Sequence, residues 1–310
     1  MRLVLFLLIC MFLFILVSGA YVFVVACVRR KETPWLVETE IKKTPFGKYY
    51  KYIAVADQWL KDHGAQDVYI TSKDGLKLHA FWIPADNAKG TVLMAHGYRS
   101  TPLIDFGAVL PYYHEKSLNL LIPHQRAHGE SGGKYITFGI RESTDMQCWI
   151  EFHNENFGTL PIVLNGISMG ATTMLFLADK LLPKNVCGIV ADCGFTSAHE
   201  IIALVFRRVI RLPAMPSVFA ADIFARLFAS FSLFEMNTRK NLPKSRLPIL
   251  FIHGRDDAFV PCEMSQTSFN ACAEPKAIYI VDGADHGVSF VKETDRYMAL
   301  LDAFLQEYVI

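Results

Sequence analysis

At 310 residues and 52% hydrophobic, the chain is long enough to bury one large domain or two small ones. Lys+Arg 31 against Asp+Glu 30 leaves a net charge of +1, so no global basic field draws in nucleic acid. There is no Walker-type phosphate loop and no G-x-G-x-x-G. The seven cysteines are scattered without a C-x-x-C, which excludes a zinc knuckle and reads as free, mostly buried thiols rather than a disulfide framework.

The first element in chain order is "LVLFLLICMFLFILVSGAYVFVVACV", Leu3 to Val28, 26 residues without a charge. About 20 apolar residues cross a bilayer, whereas the core of a cleavable signal is about 7–15. Residues 1–28 therefore read as an uncleaved, single-pass membrane anchor. "VVAC" at 24 to 27 resembles a lipoprotein cleavage box, but it stands deep in the apolar run. Arg29, Arg30 and Lys31 follow the span and only Arg2 precedes it, so the positive-inside rule keeps the rest of the chain in the cytoplasm, at the cell membrane.

Residues 29–65 read as a linker and a leading helix, with apolar residues at helical spacing in "YYKYIAVADQWLKDHG". "QDVYITS" and "LKLHAFWIP" alternate with period two around "KDG", the signature of an antiparallel hairpin. Six runs follow that are nearly continuous in Val, Ile and Leu: "GTVLMAH", "LNLLIPH", "PIVLNGI", "CGIVADC", "PILFIHG" and "KAIYIV". Such runs suit strands covered on both faces by helices. Residues 66–310 are thus predicted to be an α/β domain with a mostly parallel, eight-stranded sheet flanked by helices. Between the fourth and fifth of these runs, about 196–245, lie two helical patterns where a crossover needs one. The surplus is predicted to be a small helical cap over one end of the sheet.

Two segments fit G-x-S-x-G: "GISMG" around Ser168 and "GESGG" around Ser131. A serine hydroxyl is inert at neutral pH until a base takes its proton, and the nucleophile elbow exposes it on a tight turn between strand and helix. "PIVLN" leads straight into Gly166 and "ATTMLFLADKLL" has helical spacing after Gly170, so Ser168 meets the requirement. Ser131 is followed by "GGKYITFG", which starts no helix, and is predicted to lie in a surface loop; Ser197 and Ser289 have no comparable setting. The motif class orders its partners Ser, then Asp or Glu, then His. "PILFIHGRDDAFVP" supplies Asp256 and Asp257 after a buried strand, and "KAIYIVDGADHGVSF" supplies His286 after the next, with Asp282 and Asp285 beside it. Both positions are at C-terminal strand ends, where open α/β sheets carry their sites.

From about Gln66 onward the chain resembles the serine hydrolases of the α/β-hydrolase superfamily. It is most similar to the bacterial, often membrane-anchored branch related to serine aminopeptidases and monoacylglycerol-lipase-like members. The resemblance rests on "HGYRS" at 96, "HQRAHGESGG" at 124, "GISMG" at 166, "HGRDDAFVP" at 253 and "DHG" at 285. It implies Ser168 as nucleophile, His286 as base and Asp257, rather than its neighbour Asp256, as the orienting acid. The oxyanion donors it implies are the backbone N–H groups of Tyr98 and Met169. Relatives often carry Asp where this chain has His124, at a site that is usually structural. No metal or organic cofactor is implied.

The expected reaction is hydrolysis of carboxylic esters, by a carboxylesterase or a lipase-like enzyme acting on apolar acyl or lipid-derived esters. A serine peptidase or aminopeptidase on the same triad is the alternative, although the cap shows no acidic cluster for a free amine. A membrane-tethered binding module without activity is the rival of a different class. The cap arginines Arg207, Arg208 and Arg211 read either as a solvated helix face or as a site for an anionic substrate or lipid head groups.

Overall fold

The computed structural model describes residues 1–30, 50–273 and 275–309. Most of the predicted linker therefore lies outside the described residues. The elements in chain order begin with α1 (Arg2–Cys27), α2 (Tyr50–Asp62), β1 (Gln66–Thr71), β2 (Lys77–Ile83) and β3 (Gly90–Ala95). Then come α3 (Pro102–Phe106), α4 (Leu110–Glu115), β4 (Leu118–Pro123), α5 (Ile140–Asn156), β5 (Ile162–Ile167), α6 (Met169–Leu175) and β6 (Val186–Asp192). The cap region holds α7 (Ala198–Ile210), α8 (Met215–Ala229) and the short α9 (Thr238–Asn241). The chain closes with β7 (Ile249–Gly254), α10 (Glu263–Ala271), β8 (Lys276–Val281), α11 (Ser289–Lys292) and α12 (Thr294–Tyr308).

The strands form one eight-stranded sheet in the order β1-β2-β4-β3-β5-β6-β7-β8. β1 and β2 pair antiparallel from Gln66↔Trp82 to Thr71↔Lys77, as the hairpin pattern predicts, and β2 also lies antiparallel to β4. The remaining neighbours are parallel. Only the outer strand β1 keeps an alternating exposure. β2 sits between two strands with both faces covered, and its residues are mostly buried. α6 is shorter than the helical spacing suggests, because Leu177 and Ala178 donate to the carbonyls of Met174 and Leu175, three residues back, and tighten its end.

Two apolar layers cover the sheet. Phe106, Tyr113, Leu301 and Phe304 pack on one face, and Trp149, Ile150, Met174 and Leu175 on the other. A third cluster lies outside the sheet and joins the end of α1 to the cap: Phe23 packs among Phe206, Val218, Phe138 and Phe231. α1 is long and apolar enough to cross a membrane.

The order of strands locates the crevice. From β3 the chain steps one way to β4, then returns across β3 to β5, so connections leave β3 and β5 in opposite directions. Their register pairs Ala95 with Gly166. The segments just beyond, His96-Gly97-Tyr98 and Ile167-Ser168-Met169, therefore emerge side by side at the carboxyl edge, where such folds bind their ligands.

Candidate active site

Ser168 stands between β5 and α6 with φ 57° and ψ −117°, a conformation a non-glycine residue rarely adopts. Its N–H donates to the Asp192 carbonyl at 2.8 Å, which fixes the turn. The glycines of the motif make room for this turn. A Cβ on Gly166 would lie 2.3 Å from the Gly170 carbonyl oxygen, and one on Gly170 only 1.7 Å from that of Ala95. The turn thus brings the start of α6 against the end of β3.

His286 follows β8, and its Nε2 is 2.9 Å from the Ser168 hydroxyl. On the other side its Nδ1 lies 2.6 Å from Asp257 Oδ2. A carboxylate only accepts, so the proton sits on Nδ1 and the Nε2 lone pair faces Ser168. Asp257 is itself tightly held. The Phe259 and Val260 N–H groups donate to its Oδ1 at 2.9 and 2.8 Å, and His253 Nε2 donates to Oδ2 at 3.1 Å. Burial alone would raise the Asp257 pKa, but hydrogen bonds from His253 and His286 outweigh it and hold the carboxyl well below its ordinary value. Asp256 is exposed and points its backbone N–H at the Ala284 carbonyl; the acid that meets His286 is Asp257.

Around Ser168 the backbone N–H groups divide sharply. Gly97 donates to Asp105 Oδ2 at 2.5 Å and Arg99 to His128 Nε2 at 2.9 Å. Between them, the Tyr98 N–H has no acceptor among the described residues, and neither has that of Met169, the first residue of α6. The loop that carries Tyr98 is pinned by neutral histidines. His96 donates to the Gly97 carbonyl and accepts from the Gln125 N–H, and His128 donates to the Arg126 carbonyl. Burial drives the pKa of His96 far down and that of His128 to about 4, keeping both in the uncharged form these bonds require.

Two clefts meet at Ser168. One, of about 550 Å³, is lined by Asp105, Asn165, Asp192, Val288 and Tyr297. The other, of about 320 Å³, runs beneath the cap between α1 and α7, past Val22, Val25, Ile202, Phe206 and Ile210. Within 196–245, α7 lines this second cleft at the serine. Asp105, Asp192 and the α1 residues were not foreseeable from local sequence. Asp105 is one acidic residue in a helical turn, and the role of α1 depends on long-range packing.

Ser131 corrects one expectation. It is buried, not in a surface loop, with its hydroxyl donating to the His124 carbonyl at 2.6 Å and accepting the His79 N–H at 2.9 Å. Just beyond α1, Arg29 donates to the carbonyls of Gly129 and Ser131 at 2.6 and 2.7 Å. Its hydroxyl is committed to backbone partners. His124 lies beside it, Nδ1 to Nδ1 at 2.7 Å from His79, in the same structural turn. Among the cysteines, Cys10 is exposed on α1 and Cys187 half-buried, while the other five are buried.

Cys193, Asp257 and His286 offer ligand atoms within 4.8 Å of one another. They do not suit a metal: burial pushes the Cys193 thiol far above its ordinary pKa, and the Asp257 and His286 atoms are already bonded to each other.

No family model matches the chain. YqkD of Bacillus subtilis (strain 168) is 28% identical over 240 residues, which cover 76% of this chain and 77% of YqkD. Among solved structures, the Pyrococcus furiosus esterase Pf2001 aligns with a TM-score of 0.66 at 24% identity, over 81% of this chain and 94% of the esterase. The α/β hydrolase GrgF from Penicillium sp. sh18 aligns with a TM-score of 0.60 at 19% identity, over 79% of this chain and 99% of GrgF. Together with the strand order and the strained serine at the switch point, these likenesses establish that the chain has the fold of the α/β-hydrolase superfamily.

Proposed function

We propose that the chain is a membrane-anchored serine hydrolase that cleaves carboxylic esters of apolar acyl groups. The observation that carries this reading is the hydrogen-bonded line from Ser168 through His286 to Asp257, at 2.9 and 2.6 Å, beside two unengaged N–H groups. As Ser168 Oγ attacks the ester carbonyl carbon, its proton passes to His286 Nε2 and the carbonyl π pair becomes an oxyanion. The N–H groups of Tyr98 and Met169 are the fixed donors for that charge, which in a site closed to water stabilise it strongly. Asp257 keeps the imidazole in the accepting tautomer and stabilises the imidazolium. Collapse of the intermediate breaks the ester C–O bond, and His286 hands its proton to the departing alcohol. Water then enters, gives a proton to His286 and attacks the acyl-enzyme, and breaking the Ser168–acyl bond releases the acid.

The cleft beneath the cap is lined mainly by apolar side chains, which supports an apolar acyl group as the part of the substrate it receives. Two features support an uncleaved anchor. Only 6% of the most apolar window of α1 is buried, unlike a core helix. Its C-terminal end is also built into the domain: the Cys27 carbonyl accepts from the Ile136 N–H at 2.7 Å, and Val28 bridges to Tyr135. With Arg29 and Arg30 just after the span, the domain belongs on the cytoplasmic side.

The test is a panel of p-nitrophenyl esters of graded acyl length beside amino-acid anilides, run with the full chain and its Ser168→Ala variant. The expected result is ester turnover that Ser168→Ala abolishes. Turnover of anilides but not esters would make the chain a peptidase, and undiminished turnover in the variant would remove Ser168 from the mechanism.

A further inference from the structure

The length of α1 is at odds with its being only a tether. About 30 Å of hydrocarbon needs about 20 helical residues. The uninterrupted exposed stretch of α1 after Arg2 is Leu3 to Phe14, twelve residues, which reaches only about 18 Å. The missing depth must come from the next turns, and those turns are already docked on the cap. Ser18 Oγ lies 2.8 Å from Ser217 Oγ, and Gly19 packs so close that a Cβ there would lie 2.3 Å from the Ala220 Cβ. Phe23 meets the rings of Phe224 and Phe228 at 6.4 and 6.2 Å. If α1 crosses a bilayer, α8 enters the leaflet with it.

The outer face of α8 suits that position. Met215, Phe219, Ile223 and Leu227 recur every four residues as one stripe, with exposures from 37% to 69%, and Val209 and Ile210 at the end of α7 are exposed as well. Arg207 and Arg211 are exposed at the end of α7, where long cationic side chains can reach head-group phosphates while their stems stay in hydrocarbon; Arg208 is held by the Ala258 and Phe259 carbonyls. The apolar cleft of about 320 Å³ lies between these same helices, with Tyr21, Val22 and Val25 of α1 on one wall, Phe206 and Ile210 of α7 on the other, and Ser168 at its inner end. The end of α1 is also tied to the loop beside Ser168: the Tyr98 hydroxyl donates to the Ala26 carbonyl at 2.8 Å, and Arg99 Nη2 to those of Val25 and Val28 at 2.8 and 3.0 Å.

We propose that α1 is a wall of the acyl-binding cleft, that α1, α7 and α8 form a bilayer-embedded portal, and that the substrate is an acyl ester of a lipid in the same leaflet. Its chain slides between α1 and α7 to Ser168 without crossing water. This rests on the ester-hydrolase reading and narrows it to lipid esters delivered from the membrane.

The test uses the full chain in phosphatidylcholine vesicles. Phe219→Trp adds a fluorophore on the outer stripe. Its emission, taken as the difference from the parent, is expected to fall by at least half when the lipids are brominated on their acyl chains; no quenching overturns the embedding. Ile223→Glu with Leu227→Glu alters the same stripe away from cleft and triad. It is expected to lower hydrolysis of a long-chain ester held in the bilayer at least tenfold, while a water-soluble acetyl ester stays within twofold. An equal fall in both, or in neither, overturns the portal. A parent chain that hydrolyses neither ester overturns the esterase reading and the substrate assignment with it, while the quenching result still decides the membrane half.

Discussion

Replacing Asp257 with Asn is the most searching test of the triad, because the local hydrogen bonds dictate which way the amide must face. Oδ1 of Asp257 receives two backbone N–H groups, from Phe259 and Val260, at 2.9 and 2.8 Å. In the variant that position must remain oxygen, since an NH₂ there would confront two donors. The NH₂ is then forced into the Oδ2 position, 2.6 Å from His286 Nδ1. To meet a donor, Nδ1 has to become the acceptor and the proton moves to Nε2, which can no longer take the proton of Ser168. A triad with its histidine in the wrong tautomer loses about 10⁴ in kcat, or about 5 kcal/mol of transition-state stabilisation. The same NH₂ also opposes the His253 Nε2–H, which keeps its other bond to the Val260 carbonyl at 2.9 Å. That conflict costs about 1–3 kcal/mol of stability. The assay is kcat on an activated ester with a thermal midpoint measured in parallel, and with Asp256→Asn as the neighbour control. Asp256 is exposed, so its variant is expected to stay within twofold of the parent. A loss of less than tenfold in Asp257→Asn, or the large loss appearing in Asp256→Asn instead, would refute the reasoning.

Three further outcomes follow from the geometry. Gly170→Ala drives a methyl to 1.7 Å from the Ala95 carbonyl and pushes the end of β3, with Tyr98, away from Ser168; kcat/KM should fall about 100-fold, as for an ångström-scale misplacement, with a lowered thermal midpoint. Ser131→Ala strands the His79 N–H and should destabilise the chain by about 1–3 kcal/mol while leaving kcat within twofold, which midpoint and ester assays read separately. Asp105 is raised from 3.8 to about 6 by burial, against hydrogen bonds from Ser100 and the Gly97 N–H. A raised carboxyl adds stability that is full below pH 3.8 and is lost as pH climbs through about 6, so Asp105→Asn should gain on the parent between pH 4 and 7. The relative gain is at most about 3 kcal/mol, and a midpoint difference that does not vary with pH would contradict it.

Much of this was legible in the sequence because the signals are local. A run of β-branched residues ending at a glycine-flanked serine states both the strand and the turn. The strands before Asp257 and His286 put them at the same edge of the sheet. The strand pattern alone leaves Asp256 and Asp257 one residue of register apart; the resemblance favours Asp257, and the Phe259 and Val260 N–H groups that hold its carboxylate give the physical reason. The burial of Ser131 is not legible locally, because its partners are distant in sequence: the His79 N–H donates to its hydroxyl and Arg29, 102 residues away, to its carbonyl. The contribution of α1 was hidden for the same reason. An apolar helix of membrane length looks alike along its whole span, and only the packing of Gly19 on Ala220 distinguishes the end that serves the cleft. Asp192, buried beside the serine, and Asp105, half-buried there, carry no motif at all.

The central claim is that Ser168 is the residue that forms the covalent bond. Treating the full chain with a fluorophosphonate and mapping the adduct by peptide mass measures this directly. One adduct per chain is expected, on the peptide containing Ser168, and its formation should slow by orders of magnitude in His286→Ala. An unmodified chain, or an adduct on Ser131 or any other serine, would contradict the account.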